Sequence, residues 1–498
     1  MGELTDRDAA ALARALARLL DDARHRVVSG GGSTLVERVT GHVGVALADL
    51  PNVALSRPAW QHVNLHLGME AYLQAYSPGV EWFGAAGAHR GHEDLVGLLA
   101  GAEQHGMYRL GAVDYATAAA GPDRTVEVVN LGFVTTVAPD GTPVVVGLRG
   151  GIQIGPHPTC ELRVLAADRR TATTVRDEVE RLASVHDVYR GAVLTFDVNE
   201  HFGNELVSFL PRPDVDSADV VLPEGVLESV ERHVVRSSAQ TERLLAAGQH
   251  LKRGVLLHGA PGTGKTHTVR YLLGRLRGST VVILSGRALR LLPQATTLVR
   301  RLQPAVLVIE DADLIAEDRS MHQSSPLLFE LLNRIDGVDA DADVTFVLTT
   351  NRVGEMERAL VDRPGRVDLA VEVPLPDAAA RERLLRLYAR GPVLDQRQVA
   401  EVVAATEGVT ASFIRELVRR AVLHALDTDP AASGAPNDDV AEGGGLDGRA
   451  LRAALAELSG ERSALTRALL GGGPSTPSAL SGPGSPGPWA PPRPGRIR

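Results

Sequence analysis

The amino-acid sequence predicts an α/β fold: a parallel sheet with flanking helices, preceded by an α+β N-terminal region and followed by a helical lid. Three observations lead there. Short apolar runs ("GVLLHG", "TVVILSG", "AVLVIED", "VTFVLTTN", "LAVEVPLP") alternate with helical stretches over residues 217–376, as buried parallel strands joined by crossover helices must. A glycine-rich turn, Gly259 to Thr266, separates the first of these runs from a helix. Beyond residue 377 the strand signal stops. In "TASFIRELVRRAVLHAL", Phe413, Ile414, Leu417, Val418 and Ala421 then share one face at helical spacing.

From the N-terminus, residues 1–120 mix helical patterns with glycine breaks and hold an aromatic cluster (Trp60, Tyr72, Tyr76, Trp82, Phe83), expected to be core. Residues 121–212 read as a small α+β unit. In it, "LGFVTTVAPDGTPVVVGL" makes two strands around a Pro-Asp-Gly turn, "CELRVLAAD" a third, "TVRDEVERLAS" a helix and "GAVLTFDV" a further strand. The α/β segment 217–376 and the helical segment 377–428 follow, then a linker over 429–445. A C-terminal helix is expected over 446–470, with Leu451, Ala454, Leu455 and Leu458 on one face. The Pro/Gly/Ser-rich stretch 471–498 has too little apolar surface to fold and is expected to be disordered.

Composition removes several classes of function. The net charge of −9 argues against a nucleic-acid binder working through a broadly basic surface. Cys160 is the one cysteine, so neither an intrachain disulfide nor a cysteine zinc site can form from this sequence. No apolar run approaches the roughly 18 residues of a membrane span, and the N-terminus reads as an amphipathic helix rather than a secretory signal. A cytoplasmic setting is the expectation.

Chemistry enters at the glycine turn. Gly259, Ala260, Pro261, Gly262, Thr263, Gly264, Lys265 and Thr266 fit G-x-x-x-x-G-K-[ST] between a strand and a helix, the context that makes this pattern a phosphate cradle. Glycines let successive N–H groups face phosphate oxygens, and the helix start adds the positive end of its dipole. Lys265 can reach the β- and γ-phosphates and the Thr266 hydroxyl can bind Mg²⁺. Of 52 Lys plus Arg, only Lys252 and Lys265 are lysines. A slim ammonium suits this cradle where a planar guanidinium does not. "AVLVIEDADLI" is an apolar strand ending in Glu310, Asp311 and Asp313, where Mg²⁺ is held and water polarised. "VTFVLTTN" ends in Asn351, and "DRPGRVD" supplies Arg363 and Arg366.

On these residues the segment 217–427 resembles the AAA+ ATPases, in the AAA branch. It has Walker A "GAPGTGKT", Walker B "LVIED", "LLNRIDGV", sensor 1 at Asn351 in "TTNR", "ALVDRPGRVD", and a lid similar to "GVTASFIRELVRRA". The resemblance implies ATP hydrolysis with Mg²⁺ held by Thr266 and Glu310, and water polarised by Asp311. It also implies a homo-oligomeric ring, commonly a hexamer, in which Arg366 reaches a neighbour's γ-phosphate. Remodelling of a protein substrate or complex bound through the N-terminal region is the activity it suggests. Three departures stand out. Walker B has Glu310-Asp311 where the family usually has Asp-Glu, Leu369 occupies the usual second-finger position, and the pore-loop stretch "GRALRLLPQATTLVRR" offers Leu291 and Leu292 but no aromatic. A nucleic-acid-directed motor or loader, and a nucleotide-switched scaffold with little turnover, stay open as alternatives.

Weaker signals receive plain readings. His62 and His66, with His89 and His92 nearby, are expected to be exposed or hydrogen-bonded rather than metal ligands. Arg300 and Arg301 are expected on a solvated helix face, and Cys160 as a buried, inert thiol.

Overall fold

The structure is a computed structural model and describes Ala15 and residues 34–87, 90–105, 107–152, 158–198, 205–313, 341–352, 367–389, 395–428 and 448–460. Arg363, Arg366, "LLNRIDGV", the linker over 429–445 and the stretch 471–498 lie outside the described residues. The chain divides into two units. The first runs through Val373 apart from residues 260–264, and the second holds those residues together with the chain from Pro374.

The first unit begins α1 (Leu35–Val43), β1 (Asn52–Pro58), α2 (His62–Tyr76), β2 (Gly84–Ala85), α3 (Leu95–His105), β3 (Leu110–Gly111), β4 (Asp114–Ala119), β5 (Thr125–Val137), β6 (Pro143–Ile152), β7 (Thr159–Ala166) and α4 (Arg169–Val185). Five of these strands form an antiparallel sheet in the order β1-β7-β6-β5-β4. The β5–β6 hairpin closes at the expected Pro-Asp-Gly turn, where Gly141 takes φ +88°, a left-handed conformation that glycine adopts without strain. Side chains alternate across β5, so Val134 joins one core with Met69, Tyr72, Val175 and Val179, while Phe133 joins another with Leu35, Val39 and Leu98. Each such fully buried side chain contributes about 1.5–3 kcal/mol.

Two expectations change here. Residues 1–120 and 121–212 do not separate, because β1 and β4 from the first stretch are the outer strands of the sheet built by the second. Nor does "GAVLTFDV" close that sheet.

The chain continues with β8 (Val193–Val198), β9 (Glu205–Leu210), α5 (Val226–Glu231), α6 (Thr241–Ala246), β10 (Arg253–His258), α7 (Lys265–Arg275), β11 (Thr280–Leu284), α8 (Leu292–Arg301), β12 (Ala305–Ile309), β13 (Val344–Thr350) and β14 (Leu369–Glu372). These strands form a seven-stranded sheet, β14-β10-β13-β12-β11-β8-β9. All neighbours are parallel except the β8–β9 pair at one edge. "GAVLTFDV" is therefore β8 and pairs with β11, Val193 opposite Val281. Val193, Leu194 and Phe196 are buried, which an inner strand satisfies and the rim of the smaller sheet would not. Every residue of β12 and β13 is buried, as the unbroken apolar runs predict. One core joins the two sheets: Val63 and Val128 from the N-terminal region pack with Leu194, Leu292, Leu307 and Phe346.

The second unit contains α9 (Ala378–Ala389), α10 (Gln396–Ala405), α11 (Ala411–Thr428) and α12 (Gly448–Ser459). Phe413, Ile414, Leu417, Val418 and Ala421 are all buried on α11. Leu451, Ala454 and Leu458 are buried on α12, with Leu455 half-buried, and His424 pairs with Glu457 at 3.0 Å between the two helices.

Candidate nucleotide site

Three parallel strands bring their C-terminal ends side by side. β13 lies between β10 and β12, with His258 opposite Thr350 and Ile309 opposite Leu348. The next residues, Gly259, Asn351 and Glu310, therefore emerge at one rim. The chain runs from β10 into α7 and then to β11 on the far side of β12, so the order of connection reverses across this rim. In open parallel sheets such a crevice is where ligands are bound.

The turn after β10 depends on glycine. Gly259, Gly262 and Gly264 have φ of +150°, +77° and +116°, conformations that L side chains rarely adopt. Residues 260–264 belong with the second unit, within which the Ser412 N–H donates to the Gly262 carbonyl at 3.1 Å and the Thr263 hydroxyl to the Ala260 carbonyl at 2.9 Å.

In the first unit α7 starts at Lys265. Its ammonium is buried and donates to the Gly259 carbonyl at 2.8 Å. Burial lowers its pKa, while Asp311 and Asp313 oppose the shift. Beside it the exposed Thr266 hydroxyl hydrogen-bonds the Glu310 carboxylate. Burial raises the Glu310 pKa, the Asp311 charge adds to this, and Thr266 and Arg270 work against it. A cation near that carboxylate would stabilise its charged form.

Asp311 has φ +50°, left-handed and costly for a residue with a side chain, although aspartate tolerates it better than most. Contacts with β13 hold it there. Its N–H donates to the Thr349 hydroxyl at 3.0 Å, and its carboxylate accepts from Asn351 Nδ2 at 3.1 Å. Asp313 is buried and accepts from the Thr350 hydroxyl (3.1 Å) and the Asn351 N–H (3.2 Å). Thr349, Thr350 and Asp313 thus hold the site residues in place. Their signal was the "TTN" at the end of a buried strand and the third acid of "EDAD", whose pairing only the sheet register reveals.

Of the residues expected to carry chemistry, Lys265, Thr266, Glu310, Asp311 and Asn351 meet at this rim, and Gly259 leads into the turn of Ala260, Pro261, Gly262, Thr263 and Gly264. Arg366 lies outside the described residues. The donor set suits a magnesium nucleotide: a hydroxyl and a carboxylate for a hard cation, with an ammonium and a helix start for phosphate.

Elsewhere, His62 and His66 are buried and hydrogen-bonded to the Val129 backbone, and no group of metal-ligating side chains occurs among the described residues. Burial pushes the Cys160 thiol up to about 12, so it stays protonated and inert at neutral pH. Arg301 is exposed on α8, as expected, and makes specific contacts from there. It pairs with Asp187 at 2.7 Å and donates to Gln61 at 3.1 Å, because both acceptors come from the N-terminal region packed over α8. No described helix is long and apolar enough to cross a membrane.

Comparison with known proteins agrees with this geometry. Residues 255–375 match the model of the ATPase family associated with various cellular activities (AAA). Among similar proteins are the ATP-dependent zinc metalloprotease FtsH 2 of Sphaerobacter thermophilus, 35% identical over 218 residues (41% of this chain, 33% of that protein), and the 26S proteasome regulatory subunit 6A of Encephalitozoon cuniculi, 29% identical over 245 residues (46% and 61%). Proteasome-activating nucleotidase 2 of Halobacterium salinarum is 29% identical over 232 residues (44% and 56%). The chain spans between about a third and three fifths of these relatives' lengths. With its acidic strand end and Asn351 on adjacent parallel strands beside the strand that leads into the glycine turn, the segment 255–375 has the sequence and geometry of an AAA ATPase domain.

Proposed function

We propose that this chain binds and hydrolyses ATP with Mg²⁺ at the rim of β10, β12 and β13, and uses turnover to remodel a protein substrate or complex. The observation that carries the reading is the meeting of Lys265, Thr266, Glu310, Asp311 and Asn351 at one reversal point of the sheet. In this reading the 259–264 turn and Lys265 hold the phosphates. Thr266 and Glu310 hold the cation, which neutralises charge on the phosphate oxygens and fixes their orientation. Asp311 accepts a proton from the attacking water, and Asn351 holds that carboxylate in line.

The relatives' names include proteasome-activating and proteasome regulatory proteins, which supports a protein as the thing acted on here. The N-terminal α+β region then selects it. Charge building on the transferred phosphoryl needs more than Lys265 can offset. In the proposed ring, commonly a hexamer, Arg366 of the adjacent copy supplies the guanidinium, with Leu369 in the place of a second one.

Mixing subunits tests the shared site. Arg366→Ala and Asp311→Asn proteins should each be nearly inactive yet bind ATP. Their mixture should recover ATPase activity, because some interfaces pair an intact Asp311 with an intact Arg366. Full activity of a monomer, or no recovery at any ratio despite proven subunit exchange, defeats the reading.

A further inference from the structure

The tip of the glycine turn is gripped from the start of α11. The Gly262 carbonyl accepts twice from Ser412, from its N–H at 3.1 Å and from its hydroxyl at 3.3 Å. A carbonyl can only accept, so the Ser412 O–H is the donor in the second bond. Ser412 is the second residue of α11, whose first turn is fixed by Thr410. Thr410 is fully buried, and its hydroxyl accepts from the Phe413 N–H at 3.3 Å, in the manner of a helix N-cap. Phe413 and Ile414 are buried as well, so both Ser412 donors are presented by an anchored helix end.

Gly262 fits this grip closely. A Cβ there would lie 2.8 Å from Ser412 Oγ and 3.2 Å from Thr410 Oγ1, and its φ of +77° is costly for any residue with a side chain. The same lack of a side chain leaves the peptide plane after Gly262 easy to rotate, so its orientation has to be set from outside the turn.

That peptide is trans, and in a trans peptide the carbonyl and the N–H point to opposite sides. With the Gly262 carbonyl held by Ser412, the Thr263 N–H points away from α11. Thr263 is 5% exposed, and its N–H meets no acceptor among the described residues. Its hydroxyl is engaged elsewhere, donating to the Ala260 carbonyl at 2.9 Å. A buried N–H without an acceptor is rare, and in a turn of this kind a phosphate oxygen is the acceptor it suits.

We propose that Ser412 is a positioning residue for the nucleotide, its hydroxyl holding the 262–263 peptide so that the Thr263 N–H faces a phosphate oxygen of ADP or ATP. The proposal rests on the nucleotide reading of the 259–266 turn. Ser412 touches no reacting atom and acts only through this peptide, which ties phosphate affinity to the seating of α11 on the turn.

Ser412→Ala removes the hydroxyl but leaves the N–H, and Ser412→Thr restores a hydroxyl on the same carbon. ADP binding to the full chain is measured by calorimetry. Adenosine, which has no phosphate, is measured by competition with a fluorescent ADP analogue. Ser412→Ala is expected to weaken ADP binding about three- to tenfold, the size of one neutral hydrogen bond, while Ser412→Thr stays within about twofold of wild type. Adenosine affinity should be the same in all three proteins. Unchanged ADP affinity in Ser412→Ala, or Ser412→Thr as weak as Ser412→Ala, overturns the proposal. So does an equal loss for adenosine, which would mean that the α11 end is merely disturbed. The two ADP comparisons decide the matter even where adenosine binds too weakly to compare. A wild-type chain that binds no ADP would defeat the nucleotide site itself, and this proposal with it.

Discussion

Acidification should loosen the N-terminal region through two histidines that clamp the backbone N–H and carbonyl of one residue, Val129. His62 Nε2 lies 2.8 Å from the Val129 carbonyl, while the Val129 N–H donates to His66 Nδ1 at 3.4 Å. His66 can accept only when neutral, and a proton on Nδ1 would set donor against donor. Burial pushes each imidazole from 6.5 down to about 4, the neighbouring His66 adding to the effect on His62. A lowered histidine pKa means that the unfolded chain binds protons the folded chain refuses. Stability is therefore fully present above 6.5 and is lost as pH falls towards 4. At pH 5.5 each histidine forfeits about 1.4 kcal/mol, and by pH 4 about 3 kcal/mol. Together they cost about 3 kcal/mol at pH 5.5, a large share of a typical domain's stability. The measurement is the urea midpoint, followed by tryptophan fluorescence, at several pH values from 7 to 5.5. Wild type is compared with His62→Gln/His66→Gln, whose amides can donate and accept in the same places. The double variant should stay nearly flat across that range. If it loses as much as wild type, the clamp is not the source of the pH dependence.

Three further outcomes are expected. Lys265→Ala should weaken nucleotide binding at least tenfold, since a charge-assisted contact of about 1.5–3 kcal/mol is removed; calorimetry giving an affinity within about twofold of wild type contradicts this. Glu310→Gln should weaken binding of magnesium ATP and raise the magnesium needed for activity; unchanged binding with turnover alone lost would mean that Glu310 and Asp311 exchange roles. Arg301→Met should cost up to about 3 kcal/mol by leaving the Asp187 carboxylate, 2% exposed, without its cation. Adding Asp187→Asn should recover part of this in denaturant unfolding, and a purely additive pair would show that the ion pair matters little.

The glycine turn, the acidic end of "AVLVIED" and Asn351 were legible because each is a local pattern. A left-handed backbone asks for glycine in the sequence, and a central parallel strand asks for an unbroken apolar run. The faces of α11 and α12 were legible for the same reason, since helical periodicity is written within about a dozen residues. Tertiary structure alone decided the pairings between distant segments. "GAVLTFDV" had the composition of a strand, but nothing in its neighbours said that it would align with β11, 88 residues further on. The Arg301–Asp187 pair spans 114 positions and joins segments that no local pattern relates. Strand order and the satisfaction of buried polar groups depend on which surfaces meet, and that is settled by burial summed over the whole core rather than by any single stretch of chain.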